Sequence, residues 1–95
     1  MNIGFIGCGN MATAMLGGIL KNNLEPKENL MASDKSEQAM EKIRRDMGIA
    51  TADNCRVAES ADVLVLAVKP VYMEEVIEEI ADAVRPETIV VTLAP

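Results

Sequence analysis

Apolar positions along this chain of 95 residues change their spacing at regular intervals, and each change marks an element. Ile3, Phe5 and Ile6 form a short apolar run that passes through glycines into Met11, Ala14, Met15, Leu16 and Ile19, spaced for a helix ending near Asn22. Lys21-Asn22-Asn23 and Glu25-Pro26-Lys27 then make a polar break, where Pro26 cannot continue a helix. Asn29 to Ser33 predicts a second strand, apolar at Leu30, Met31 and Ala32. From Ser36 to Met47, Ala39, Met40, Ile43 and Met47 recur at helical spacing opposite Glu37, Glu41, Arg44 and Arg45, and Gly48 is placed to end the helix. Ile49 to Thr51 predicts a brief third strand, and Asp53 and Asn54 are capping types for a short helix over Cys55 to Ser60. The unbroken apolar run Val63 to Val68 fits a parallel strand covered on both faces. Lys69-Pro70 closes it. The helix that follows has Val76, Ile77, Ile80 and Val84 on an apolar face, and Glu74, Glu75, Glu78, Glu79 and Asp82 read as a solvated one. Pro86 ends that unit and Thr88 to Leu93 is a fifth strand.

Strands alternating with helices specify an α/β domain, and right-handed crossovers give a mainly parallel five-stranded sheet in the order 3-2-1-4-5 between two helical layers. Residues 1–95 make one domain, since so short a chain cannot build two cores. Hydrophobic residues are 49% of it, but Phe5 and Tyr72 are its only aromatics, so the core must be aliphatic.

The formal net charge of −6, with no stretch dominated by Lys and Arg, argues against nucleic-acid and membrane-surface partners. Cys8 and Cys55 are too few for a disulfide framework, and without histidine no metal site and no histidine general acid is expected. No apolar run reaches the roughly 18 residues of a membrane span, and Met1 leads straight into a strand. The expectation is a soluble, untargeted protein of the reducing cytoplasm.

The chemistry concentrates at Gly7-Cys8-Gly9-Asn10-Met11-Ala12, a G-x-G-x-x-A turn between a strand and a helix. This is the fingerprint of a Rossmann-type dinucleotide site: unpaired N–H groups at a helix start hold a pyrophosphate without a buried countercharge. Gly7 permits the tight turn, Gly9 allows close approach of the phosphates, and a small residue at Ala12 lets helix and strand pack. Asp34 ends the second strand 22 residues after Ala12, where a carboxylate commonly accepts ribose hydroxyls and favours NAD. Lys35 and Ser36 follow at once and would suit the extra phosphate of NADP if Asp34 turned away, for instance to cap the helix with Glu37 as partner. A purely polar helix start is the third reading. Lys69, at the end of an apolar strand, is either a crevice lysine or an ordinary surface one. Cys8 reads as a small filler of the turn rather than a reactive thiol. No residue offers itself as a catalytic nucleophile or base.

These residues resemble a family. Gly4-Phe5-Ile6-Gly7-Cys8-Gly9-Asn10-Met11-Ala12, Met31-Ala32-Ser33-Asp34, Asn54, Ala61-Asp62 and above all Ala67-Val68-Lys69-Pro70 look like the N-terminal half of pyrroline-5-carboxylate reductase. The resemblance implies reduction of 1-pyrroline-5-carboxylate, a small imine, to proline with NADPH or NADH. It implies that Ile6, Gly7, Cys8, Gly9, Asn10 and Met11 cradle the pyrophosphate and that Ser33, Asp34, Lys35 and Ser36 meet the adenosine ribose or its phosphate. Asn54 would touch the adenosine side, and Ala67, Val68, Lys69 and Pro70 would line the nicotinamide end. The family continues beyond the position of Ala94-Pro95 into a helical domain for dimerisation and substrate binding, which this sequence lacks, so the 95 residues alone are expected to be catalytically silent and homo-oligomers to need that domain. NADP is favoured, with NAD also bound. The alternatives are the N-terminal domain of another NADP-dependent reductase, of the deazaflavin-dependent type, and a stand-alone nucleotide-binding module.

Overall fold

A computed structural model describes residues 1–93, so Ala94-Pro95 lies outside it. Its elements are β1 (Ile3–Ile6), α1 (Asn10–Lys21), a single 3-10 turn (Lys27–Asn29), β2 (Leu30–Ser33), α2 (Glu37–Met47), β3 (Ala50–Thr51), α3 (Asn54–Ser60), β4 (Val63–Leu66), α4 (Pro70–Ile80) and β5 (Ile89–Thr92). All strand pairs are parallel and the sheet order is β3-β2-β1-β4-β5, as the spacing predicts. The register aligns Ile6 with both Ser33 and Leu66, so β1, β2 and β4 end at one level and release their loops side by side.

Two cores sandwich the sheet. Phe5, Leu30, Ala32 and Val65 pack with Ala12 and Leu16 of α1 and Ile43 of α2 on one face, while Ile6, Leu64 and Leu66 pack with Val57, Ala58, Val76 and Ile80 on the other. The central strands bury side chains on both faces, which is why the Val63–Val68 stretch is apolar throughout. Local signals set the helix ends. The Ser36 hydroxyl accepts the Ala39 N–H at 3.2 Å, Gly48 closes α2 in the left-handed conformation, and the Asp53 carboxylate accepts the Arg56 N–H at 2.8 Å.

Three details depart from the spacing. The cap of α2 is Ser36, not Asp34, because Asp34 is engaged elsewhere. In α1, Leu16 and Ala12, the latter the position expected to pack helix against strand, are buried, but Met11, Ala14 and Met15 are exposed, since a helix apolar on nearly every side does not declare its whole inner face. In α4, Ile77 is exposed and Met73 takes its place against the sheet.

The opposite end of the sheet is tied by Arg85, whose Nη2 donates to the Ala61 carbonyl at 2.7 Å and to Asp62 Oδ1 at 3.0 Å. The Asn2 N–H donates to the other Asp62 oxygen at 2.8 Å, and this bond, with the Arg85 guanidinium, holds the Asp62 carboxyl below its ordinary 3.8. A carboxylate whose pKa falls on folding stabilises the fold above its unfolded value, and that share is lost as pH drops through the lower folded value. The melting temperature of the wild type should therefore exceed that of Asp62→Asn by a constant margin above about pH 4, and the margin should shrink on further acidification. Thermal melts at matched pH check this; a margin independent of pH would contradict it.

Candidate functional site

The chain winds outward from β1 through β2 to β3 on one side and then resumes at β4 on the other, so the loops after β1 and β4 diverge and leave a crevice at the C-terminal edge. The turn after β1 forms its floor. The Gly7 N–H donates to the Ser33 carbonyl at 2.7 Å, and Gly7 has φ +107°, a conformation that L side chains rarely adopt. A Cβ there would lie 2.3 Å from the Ala67 carbonyl oxygen, so β1 and β4 exit in contact only because position 7 is glycine.

Gly9 caps α1 with ordinary backbone angles and no side-chain hydrogen bond, and the first turn of the helix holds no acid. Thr13 is the first residue to donate back, to the Gly9 carbonyl at 2.9 Å. Among the described residues the N–H groups of Gly9, Asn10, Met11 and Ala12 have no acceptor, as at any uncapped helix start. A Cβ at Gly9 would meet no atom within 4 Å, so neither packing nor backbone conformation requires glycine there. What its absence keeps open is the crevice, about 890 Å³, which Gly9 lines. The donors and the open floor fit a pyrophosphate.

The crevice walls carry both charges. Lys35 and Lys69 line it and, among the described residues, neither is in an ion pair. Lys35 Nζ lies 3.2 Å from the centroid of the Tyr72 ring, so it reaches across from the β2–α2 turn to the first turn of α4. That hydrogen-bond donor and positive charge hold the Tyr72 phenol below its ordinary 10.0. Arg44 donates to Glu37 at 2.6 Å and to the Thr51 hydroxyl. The carboxylates are mostly spoken for: Asp53 caps α3, Glu79 accepts the Asn54 amide at 2.8 Å, and Asp34 takes two backbone N–H groups. Buried Ser33 donates its hydroxyl to Asn54 Oδ1 at 2.6 Å, so Ser33, Asn54 and Glu79 form one chain of hydrogen bonds from β2 to α4.

Residues 2–95 match the family described as NADP oxidoreductase, coenzyme F420-dependent. The chain belongs to this family. It is 37% identical over 93 residues to the pyrroline-5-carboxylate reductase of Pseudomonas aeruginosa, a match covering 97% of this chain and 34% of that protein. A pyrroline-5-carboxylate reductase structure from Coxiella burnetii superposes with a TM-score of 0.91 at 35% identity, over 98% of this chain and 35% of that one. A Plasmodium falciparum pyrroline carboxylate reductase with NADP bound gives 0.83 at 25% identity, over 99% and 33%. The chain spans about a third of the length of the curated relatives it matches.

Within this member of the family the structure gathers most of the residues named from sequence. Ile6, Gly7 and Gly9 of the turn, Ser33, Asp34 and Lys35 beyond β2, Asn54 at the start of α3, and Ala67, Val68 and Lys69 beyond β4 all line the crevice. Cys8, Asn10, Met11, Ser36 and Pro70 do not. Cys8 is buried behind the turn with its Sγ 3.4 Å from the Ser33 carbonyl, and burial, helped by the Asp34 charge, pushes the thiol up to about 11. It is the filler that its sequence context predicts. Asn10 and Cys8 instead border a small depression of about 120 Å³ between α1 and α2. The spacing did not single out Arg44, Tyr72 and Glu79 as crevice residues. Tyr72 could have been found two positions after Pro70, in the first turn of a helix that starts at the sheet's C-terminal edge, and Glu79 beside Ile80, where an acidic run borders a buried face. Among the described residues there is no group of metal-ligating side chains, and no helix is long and apolar enough to cross a membrane.

Proposed function

We propose that residues 1–95 are the dinucleotide-binding domain of a pyrroline-5-carboxylate reductase, binding NADP(H) and, less tightly, NAD(H). The uncapped start of α1, opening on the crevice past a glycine that the fold itself does not need, carries the reading. The N–H groups at the start of α1, from Gly9 to Ala12, hold the pyrophosphate, Lys35 on the crevice wall meets the adenosine phosphate, Asn54 borders the adenosine side, and Ala67 to Lys69 border the nicotinamide, while Ser36 and Pro70, which lie off the wall, fix the starts of α2 and α4 behind those contacts. Similarity to reductases named for the imine, one of them holding NADP, supports both substrate and cofactor. The bound nicotinamide supplies the hydride that reduces the C=N carbon; this chain's residues orient it, while substrate binding and homo-oligomer formation fall to the part of the relatives that it does not span. Free Cys8 and Cys55 agree with a reducing cytoplasm.

Titration of NADPH and NADH into the chain, followed by amide NMR, should give saturable binding with the largest shifts at Gly9 to Ala12. No binding, or shifts confined to another face, would overturn the reading. The family description favours one competitor, reduction of a deazaflavin. Proline formation and deazaflavin reduction, compared in a protein of the relatives' full length carrying this domain, separate the two.

A further inference from the structure

Asp34 stands where a carboxylate that ends the second strand of such a domain is expected to accept ribose hydroxyls, yet its two oxygens are already held. Oδ2 accepts the Cys8 N–H at 2.7 Å and Oδ1 accepts the Ser36 N–H at 2.8 Å. Among the described residues no cation pairs with it, and its neighbour Lys35 turns away to Tyr72. We propose that Asp34 is a positioning residue, a clamp that fixes the glycine turn to the β2–α2 turn and so builds the dinucleotide seat rather than reading the ribose. This rests on the reading that the crevice takes a dinucleotide.

Both bonds are charge-assisted and short, which gives them direction as well as strength. The Cys8 N–H lies inside the glycine turn, directly before the donors of Gly9 to Ala12, and it would otherwise be a part-buried donor in need of an acceptor. Two further links bind the same segments: the Gly7 N–H and the Cys8 thiol both reach the Ser33 carbonyl. The turn is therefore locked to the end of β2 at Gly7 and Cys8, and Asp34 extends the lock forward to Ser36, the cap of α2. A clamp has a consequence for cofactor choice. The two amides that point at the carboxylate offset its charge, so an acid at the ribose end does not by itself exclude the phosphate of NADP.

The test compares Asp34→Asn with the wild type. The clamp predicts that amide exchange quickens about ten- to a hundredfold at Cys8 or at Ser36, whichever N–H then faces the NH2 group of the asparagine, since its one remaining oxygen can accept only the other, and that NADPH and NADH weaken by the same factor. Unchanged exchange, unchanged affinities, or a tenfold or greater change in the ratio of the two affinities would overturn it. Should Asp34→Asn fail to fold, the wild type still decides through the scalar coupling across the hydrogen bond between the Cys8 amide nitrogen and the Asp34 carboxyl carbon. A coupling that persists in the NADH complex supports the clamp, and one lost on NADH binding means that the carboxylate has turned to the ribose. Failure of both cofactors to bind the wild type, with the coupling intact, would strike the proposed function and with it the seat that the clamp is said to build; rapid exchange at Cys8 in a wild type that binds would strike the clamp alone.

Discussion

Gly7→Ala is expected to lower the melting temperature by about 15 °C or more, and Gly9→Ala by much less, although both glycines belong to one fingerprint. The difference lies in what each residue serves. At Gly7 a side chain must adopt φ +107° and its Cβ must occupy a point 2.3 Å from the Ala67 carbonyl oxygen, which is backbone and cannot swing aside. Conformational strain of this kind costs roughly 1–3 kcal/mol, and displacing the β4 exit loop adds to it. A total of about 3 kcal/mol or more is a large share of the stability of so small a domain. At Gly9 the backbone is ordinary and the Cβ enters open space, so only the capping preference changes, within about 1 kcal/mol. Dinucleotide affinity should reverse the ranking among folded proteins: Gly9→Ala melts close to wild type but binds NADPH about tenfold or more weakly, a loss of about 1.4 kcal/mol. Thermal melts and cofactor titrations on the two variants give the answer. A Gly9→Ala protein that binds as the wild type does would show that the space over the turn is not where the phosphates go.

That contrast also marks how far the sequence could be read. Both glycines were legible as a turn between strand and helix, and the sheet order followed from strands alternating with helices. Only coordinates separate the glycine needed by the fold from the one left over for a ligand, since the distinction depends on Ala67, a residue 60 positions away. Asp34 makes the same point. Its place at the end of β2 was plain from the apolar residues before it, but whether its oxygens are free depends on the Cys8 N–H, brought to it by parallel pairing of β1 and β2. The buried face of α1 was legible only at Ala12 and Leu16, because Met11, Ala14 and Met15 are as apolar as these and yet are exposed. The acidic run of α4 hid Glu79 in a similar way, since a residue that closes a hydrogen-bond chain to Ser33 carries the same letter as its solvated neighbours.

Lys35→Ala should weaken NADPH by about tenfold or more while leaving NADH within about twofold, which reads the adenosine phosphate directly. A charge-assisted contact to the phosphate contributes about 1.5–3 kcal/mol, and because Lys35 is exposed the lower end applies. The protein carries its own reporter. Tyr72 is its one tyrosine and there is no tryptophan, so the ring of Tyr72 gives a single titration curve. In the free protein the Lys35 donor and charge favour the phenolate and hold the phenol below 10.0. If NADPH draws Lys35 off the ring, the phenolate loses that support and the pKa must rise, whereas NADH, without the extra phosphate, leaves it low. Lys35→Ala should raise it with no cofactor present. Ring NMR of Tyr72 across alkaline pH, in the free protein, with each cofactor and in the variant, tests all of these signs. Equal losses of the two cofactors in Lys35→Ala, or a Tyr72 curve indifferent to NADPH, would mean that Lys35 stays on its aromatic partner and that the phosphate is met elsewhere in the crevice, whose walls also carry Arg44 and Lys69.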